Sequence, residues 1–152
     1  MFSPDGNYLF TGARQDEHMF CWDIRYTYES LYTMRRDTGR TNQRIQFDIE
    51  PCGKHLITGN GDGSVRMFNL QDGSQVDQQP VAADTVNGAA FHPSLDLLAT
   101  ASGHRRYVEP ERDAADTDRR EEATRPPARP ENSLMVWRLQ LQHLQLPVPR
   151  DV

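Results

Sequence analysis

The chain has 152 residues, with 17 Lys and Arg against 22 Asp and Glu, a formal net charge of −5. It therefore lacks a global basic signature for nucleic acid, although a local patch on one rim is enough to bind one. No run approaches the roughly 18 consecutive apolar residues of a membrane span, no secretory leader is read before the first structured segment, and two cysteines fit a reducing compartment better than a disulfide framework.

The first element is a turn, Phe2-Ser3-Pro4-Asp5-Gly6, followed by a predicted strand at Leu9–Thr11. A polar break, Arg14-Gln15-Asp16-Glu17, separates it from a second strand, Phe20–Asp23. The same order then recurs. A strand at Gln46–Ile49 leads into Glu50-Pro51-Cys52-Gly53, and strands follow at Leu56–Thr58 and Val65–Phe68 around the break Asn60-Gly61-Asp62-Gly63. A third copy runs from Ala89–Phe91 through His92-Pro93-Ser94 to strands at Leu97–Thr100 and Leu134–Trp137. The runs are short, β-branched or aromatic, and bounded by turn residues. Pro4, Pro51 and Pro93 are spaced by 47 and 42 residues, a period that marks a repeat array. Such arrays present loops to a partner and rarely carry chemistry inside the repeat.

The last aromatic of each copy falls 18, 17 and 44 residues after its proline, so the third copy carries an insertion. The segment 104–131 holds seven arginines, eight acids and four prolines, with little apolar bulk. Mixed charge with proline predicts a solvated, disordered insertion. The expected organisation is thus 1–103 as repeats, 104–131 as the insertion, and 132–152 as the last strand and a tail. In that tail Leu141, Leu144 and Leu146 suit a strand or a short helix, and Pro147 and Pro149 end it.

These repeats resemble the WD-repeat β-propeller family, which implies an all-β fold. Trp22-Asp23 matches the terminal dipeptide of the family repeat literally; Phe68-Asn69 and Trp137-Arg138 have drifted from it. The resemblance implies a structural brace in each blade. Thr11, Asp16, Trp22 and Asp23 fill its places in the first copy, and Thr58, Asp62 and Phe68 in the second, with Trp137 closing the third. Phe68 has no N–H to donate, so its brace is incomplete. A closed propeller needs about four to eight blades. About three are present, so the expectation is the C-terminal part of a longer propeller, unclosed and with uncovered sheet faces.

No catalytic constellation emerges. His18, His55, His92, His104 and His143 are scattered, and no pair has metal-ligand spacing with a cysteine. Asp16, Asp23, Asp62 and Asp72 stand where carboxylates cap turn backbone. Gly59 to Gly63 opens no helix and is not a phosphate loop. Neither enzyme activity, nor a cofactor, nor a metal is expected.

Two strings are more specific: Thr41-Asn42-Gln43-Arg44-Ile45-Gln46-Phe47-Asp48, and Asn87-Gly88 followed by His92-Pro93-Ser94-Leu95-Asp96-Leu97-Leu98-Ala99-Thr100-Ala101-Ser102-Gly103. With Cys21-Trp22-Asp23-Ile24-Arg25, they resemble the telomerase Cajal body protein family. That resemblance implies an RNA chaperone of small Cajal body RNAs. It would bind those guide RNAs and telomerase RNA, associate with dyskerin-containing particles, and bring them to Cajal bodies in the nucleus. Where a propeller's first strands begin, and where its second and third strands connect, loops share one face. On that rim the RNA candidates are Arg14, Asn42, Gln43 and Arg44, together with Asn87, Arg105 and Arg106. Gln15, Asn60 and His104 share the same loops. Arg, Asn and Gln can contact phosphates and splayed bases. Against this, Asn42 and Asn87 can cap loop backbone where the family's Gly-His pair is missing, and Arg44 can brace blades through Asp48. The alternative function is a protein-interaction propeller that binds peptides on the same face without RNA.

Overall fold

A computed structural model describes residues 1–38, 41–103 and 132–139. The predicted insertion, the tail, and His104, Arg105 and Arg106 lie outside the described residues.

Ten strands form three antiparallel sheets among the described residues. The first sheet holds β1 (Tyr8–Gly12), β2 (His18–Asp23) and β3 (Tyr32–Arg35) in that order. The second holds β4 (Phe47–Ile49), β5 (His55–Gly59), β6 (Ser64–Asn69) and β7 (Gln75–Pro80). The third holds β8 (Val86–Phe91), β9 (Leu97–Ser102) and β10 (Ser133–Arg138). Each predicted strand overlaps one of these, and the sheets are successive blades of a WD-repeat propeller fragment. Phe2 bridges Leu9, and Phe10 N–H donates to Met1 O at 2.8 Å, so the chain starts along the inner edge of the first blade.

Two strands, β3 and β7, go beyond the sequence expectation. Each is the last strand of its sheet and pairs on one side only. An edge strand needs no apolar alternation, and polar residues with a proline blunt it against further pairing. Gln75-Val76-Asp77-Gln78-Gln79-Pro80 fits that chemistry and so carries no strand signal of its own.

The blades pack face to face. Phe10, Met19, Cys21 and Met34 of the first blade meet Ile49, Leu56 and Phe68 of the second. Ile57, Val65 and Met67 of the second meet Val86, Ala89, Leu98 and Trp137 of the third. The middle blade is covered on both faces, which is why Leu56, Ile57 and Thr58 are all buried in succession. The outer blades are covered on one. Burial in β2 alternates, with Met19 and Cys21 inward, and on β10 Leu134 and Val136 remain exposed beside buried Trp137.

The repeated turns have a common cause. Gly6 and Gly53 occupy φ +75° and +73°, where an L side chain is strained, and each donates its N–H back to the residue three earlier. The third copy lacks that glycine. There His92 Nδ1 accepts the N–H groups of Ser94 and Leu95, at 3.1 and 3.0 Å.

Candidate nucleic-acid interface

The brace residues divide by neighbour. Trp22 Nε1 donates to Thr11 Oγ1 at 2.9 Å, and Trp137 Nε1 donates to Thr100 Oγ1 at the same distance. At the matching place in the second blade Phe68 is buried and Thr58 Oγ1 turns to Gly59 O instead. The acids are turn caps. Asp16 accepts His18 N–H at 2.9 Å, and Asp62 accepts both the N–H and the hydroxyl of Ser64. Asp23 takes a two-pronged contact from Arg25, whose hydrogen bonds and charge hold the carboxyl down to about 2.

Of the rim candidates, Arg14 and Arg44 line a cleft of about 780 Å³ where the first blade adjoins the second, whereas Asn42, Gln43 and Asn87 lie outside its lining. Its walls carry Arg14 after β1, and Arg44 ahead of β4, with Arg36 beneath and Asp48 beside them. Arg14 and Arg44 are exposed, and Arg44 forms no ion pair among the described residues. The brace from Arg44 to Asp48 is not made. Asp48 instead accepts Phe91 N–H at 2.8 Å and the N–H of its neighbour Ile49 at 2.9 Å.

Arg36 is 2 % exposed. Its Nη2 donates to Ala13 O at 2.7 Å and its Nη1 to Ile45 O at 3.1 Å, with a longer contact from Nε to Asp16 O. Burial lowers its pKa and the charge of Asp16 opposes that; guanidinium stays protonated in either case.

Asn42 is exposed, and its neighbour Gln43 is half-buried. Asn87 Nδ2 donates to Gln43 Oε1 at 3.1 Å and to Gly103 O at 3.0 Å, so that amide ties the second blade to the third. Among the described residues Gln43 Nε2 is buried without a partner. Asn60 corrects the sequence reading of the rim. It is fully buried, accepting Asp37 N–H at 2.8 Å and donating to Ser64 O, and so is inaccessible to a ligand.

Sequence reasoning assigns nothing to the run Thr33 to Asp37 and so misses Arg36. The signal is present nonetheless: Met34 and Arg36 are buried while Arg35 points out to Glu17, which is the period of a strand carried one residue past its end. Among the described residues no group of three or more His, Cys, Asp or Glu converges as metal ligands do.

Comparison with known proteins gives three kinds of match. The family described as "WD domain, G-beta repeat" matches residues 1–23 and 36–69. Telomerase Cajal body protein 1 of Mesocricetus auratus is 43% identical over 116 residues, covering 72% of this chain and 21% of the relative. The Homo sapiens protein of that name is 43% identical over 115 residues, with the same coverages. A Drosophila melanogaster homolog of it is 33% identical over 102 residues, covering 67% and 19%. The chain thus spans about a fifth of the length of the relatives it matches. Among solved structures, U3-55K superposes with a TM-score of 0.58 at 21% identity, covering 68% of this chain and 32% of that one. The RRP9 WD40 repeats give 0.58 at 20% identity, covering 68% and 31%. These two likenesses bear on the fold.

Proposed function

The chain is a WD-repeat protein homologous to telomerase Cajal body protein 1, and we propose that it binds small Cajal body guide RNAs and telomerase RNA as a non-enzymatic scaffold. On this reading it directs dyskerin-containing particles to Cajal bodies in the nucleus. The observation that carries the reading is local charge. On a chain of net charge −5, one cleft is lined, among the described residues, by three arginines and a single acid, Asp48, whose carboxylate is already occupied by backbone N–H groups. Such a patch suits phosphate, and the exposed amide of Asn42, two residues before Arg44, suits a base edge. On this reading Asn87 shapes the rim through Gln43, and Arg105 and Arg106, which lie outside the described residues, remain proposed RNA contacts.

Crosslinking RNA to the protein in cells, recovering it and sequencing it tests the proposal. Enrichment of small Cajal body RNAs, with affinity that falls steeply as salt rises, is the expected result. Recovery of no RNA, with peptides bound at a shallow salt dependence, would turn the rim into a protein-docking face.

A further inference from the structure

Arg36 is an unusual cation to bury. Its three contacts are all backbone carbonyls, with no carboxylate within bonding distance among the described residues. Taking a charge out of water is costly, and an apolar residue of similar volume often stabilises such a site as well or better. What Arg36 contacts suggests why it stands there. Ala13 directly precedes Arg14, and Ile45 directly follows Arg44. The guanidinium therefore links the main chain beside one rim arginine to the main chain beside the other, across the boundary between blades. Gly12 leaves the space it needs: a Cβ there would lie 3.2 Å from Arg36 Nη2. Guanidinium is a rigid planar fork, so two of its N–H groups fix both the separation and the orientation of their acceptors. A lysine can reach one carbonyl or the other, without that geometry.

We propose that Arg36 is a positioning residue that holds Arg14 and Arg44 on facing walls of the cleft, where both grip the phosphodiester backbone of one single-stranded RNA. This rests on the RNA-binding reading above and adds to it the place, the chemistry and the device. Arg14 and Arg44 touch phosphate; Arg36 acts through them, and its buried charge adds to the field they meet.

The test is a cycle of variants in the full protein, using as probe the RNA most enriched with the wild type. Arg14→Ala with Arg44→Ala changes only exposed side chains. It should weaken binding by about tenfold or more and flatten the salt slope by about 0.7 for each phosphate no longer bound. Arg36→Lys alone should produce most of that loss. Introduced into the Arg14→Ala, Arg44→Ala background it should produce little more, because side chains already removed cannot be mispositioned. An equal loss in both backgrounds makes Arg36 a purely structural residue and overturns the proposal. Should Arg36→Lys fail to fold, the double variant still decides: unchanged affinity and slope overturn the site while leaving RNA binding by the protein intact. Recovery of no RNA with the wild type overturns both readings together.

Discussion

Asp48 Oδ2 accepts the backbone N–H of Phe91 at 2.8 Å, so a side chain of β4 closes the main chain of β8 in the next blade. Both are the inner edge strands of their sheets, and an edge leaves backbone donors without a ladder partner. Asp48→Ala orphans that donor and should cost about 1–3 kcal/mol in denaturant unfolding. Asp48→Asn keeps an acceptor and should cost less; equal losses for the two would show that the bond contributes nothing.

The two indole–threonine bonds offer a matched pair. Trp137 and Thr100 are both buried, at 5% and 4% exposure, whereas Trp22 and Thr11 are half-exposed. Trp137→Phe leaves the threonine hydroxyl without its donor in a closed space, and should cost roughly 1–3 kcal/mol. Trp22→Phe should cost less, since water can take the place of the indole N–H. Phe68 shows that a blade can be built with phenylalanine at this place when the threonine hydroxyl turns to a carbonyl. Urea unfolding of both variants orders them, and a larger loss at Trp22 would contradict the argument.

Gly73 and Gly6 separate backbone strain from crowding. Both adopt positive φ, +74° and +75°. A Cβ at Gly6 meets nothing within 4 Å, while at Gly73 it would lie 2.4 Å from Tyr32 Cδ2. Gly6→Ala should lose about 1–2 kcal/mol, the cost of a left-handed L residue. Gly73→Ala should lose clearly more, because the Tyr32 ring, anchored through its hydroxyl to Leu70 O, has to move. Comparable thermal shifts for the two would show that Tyr32 yields freely.

Asp23 gives a pH effect of definite sign. Its carboxyl is held down to about 2 by Arg25, below the ordinary 3.8. A group whose folded pKa is depressed stabilises above its unfolded value and loses that contribution as pH falls through the folded one. The contribution should therefore be complete above about pH 4 and fade toward pH 2. Arg25→Ala should move the Asp23 midpoint, followed by NMR titration, back toward the ordinary carboxylate range. A midpoint that stays near 2 would assign the shift to backbone donors alone.

Much of the architecture follows from local sequence. Strands such as Phe20–Asp23 and Leu97–Thr100 announce themselves through short apolar or aromatic runs, and the prolines, glycines and aspartates at their ends have turn chemistry that operates within a few residues. The pairing of Trp22 with Thr11 comes from the family resemblance, and the structure makes it across two neighbouring strands joined by a short turn. What only the tertiary structure decided is the fate of polar residues whose partners lie in other blades. Asn60, Arg36 and Asp48 look alike in sequence: each is a polar side chain with nothing nearby in the chain to fix its partner. Asn60 is buried because Asp37 arrives from the preceding blade, Arg36 because two loops converge on it, and Asp48 is taken from Arg44 because the Phe91 N–H reaches it. The edge strands β3 and β7 belong with them, because pairing on one side places no apolar demand on the residues that pair. Period and turn chemistry are local properties, written in neighbouring residues; the burial of a charge or an amide depends on which distant backbone reaches it, and that is set only when the blades stack.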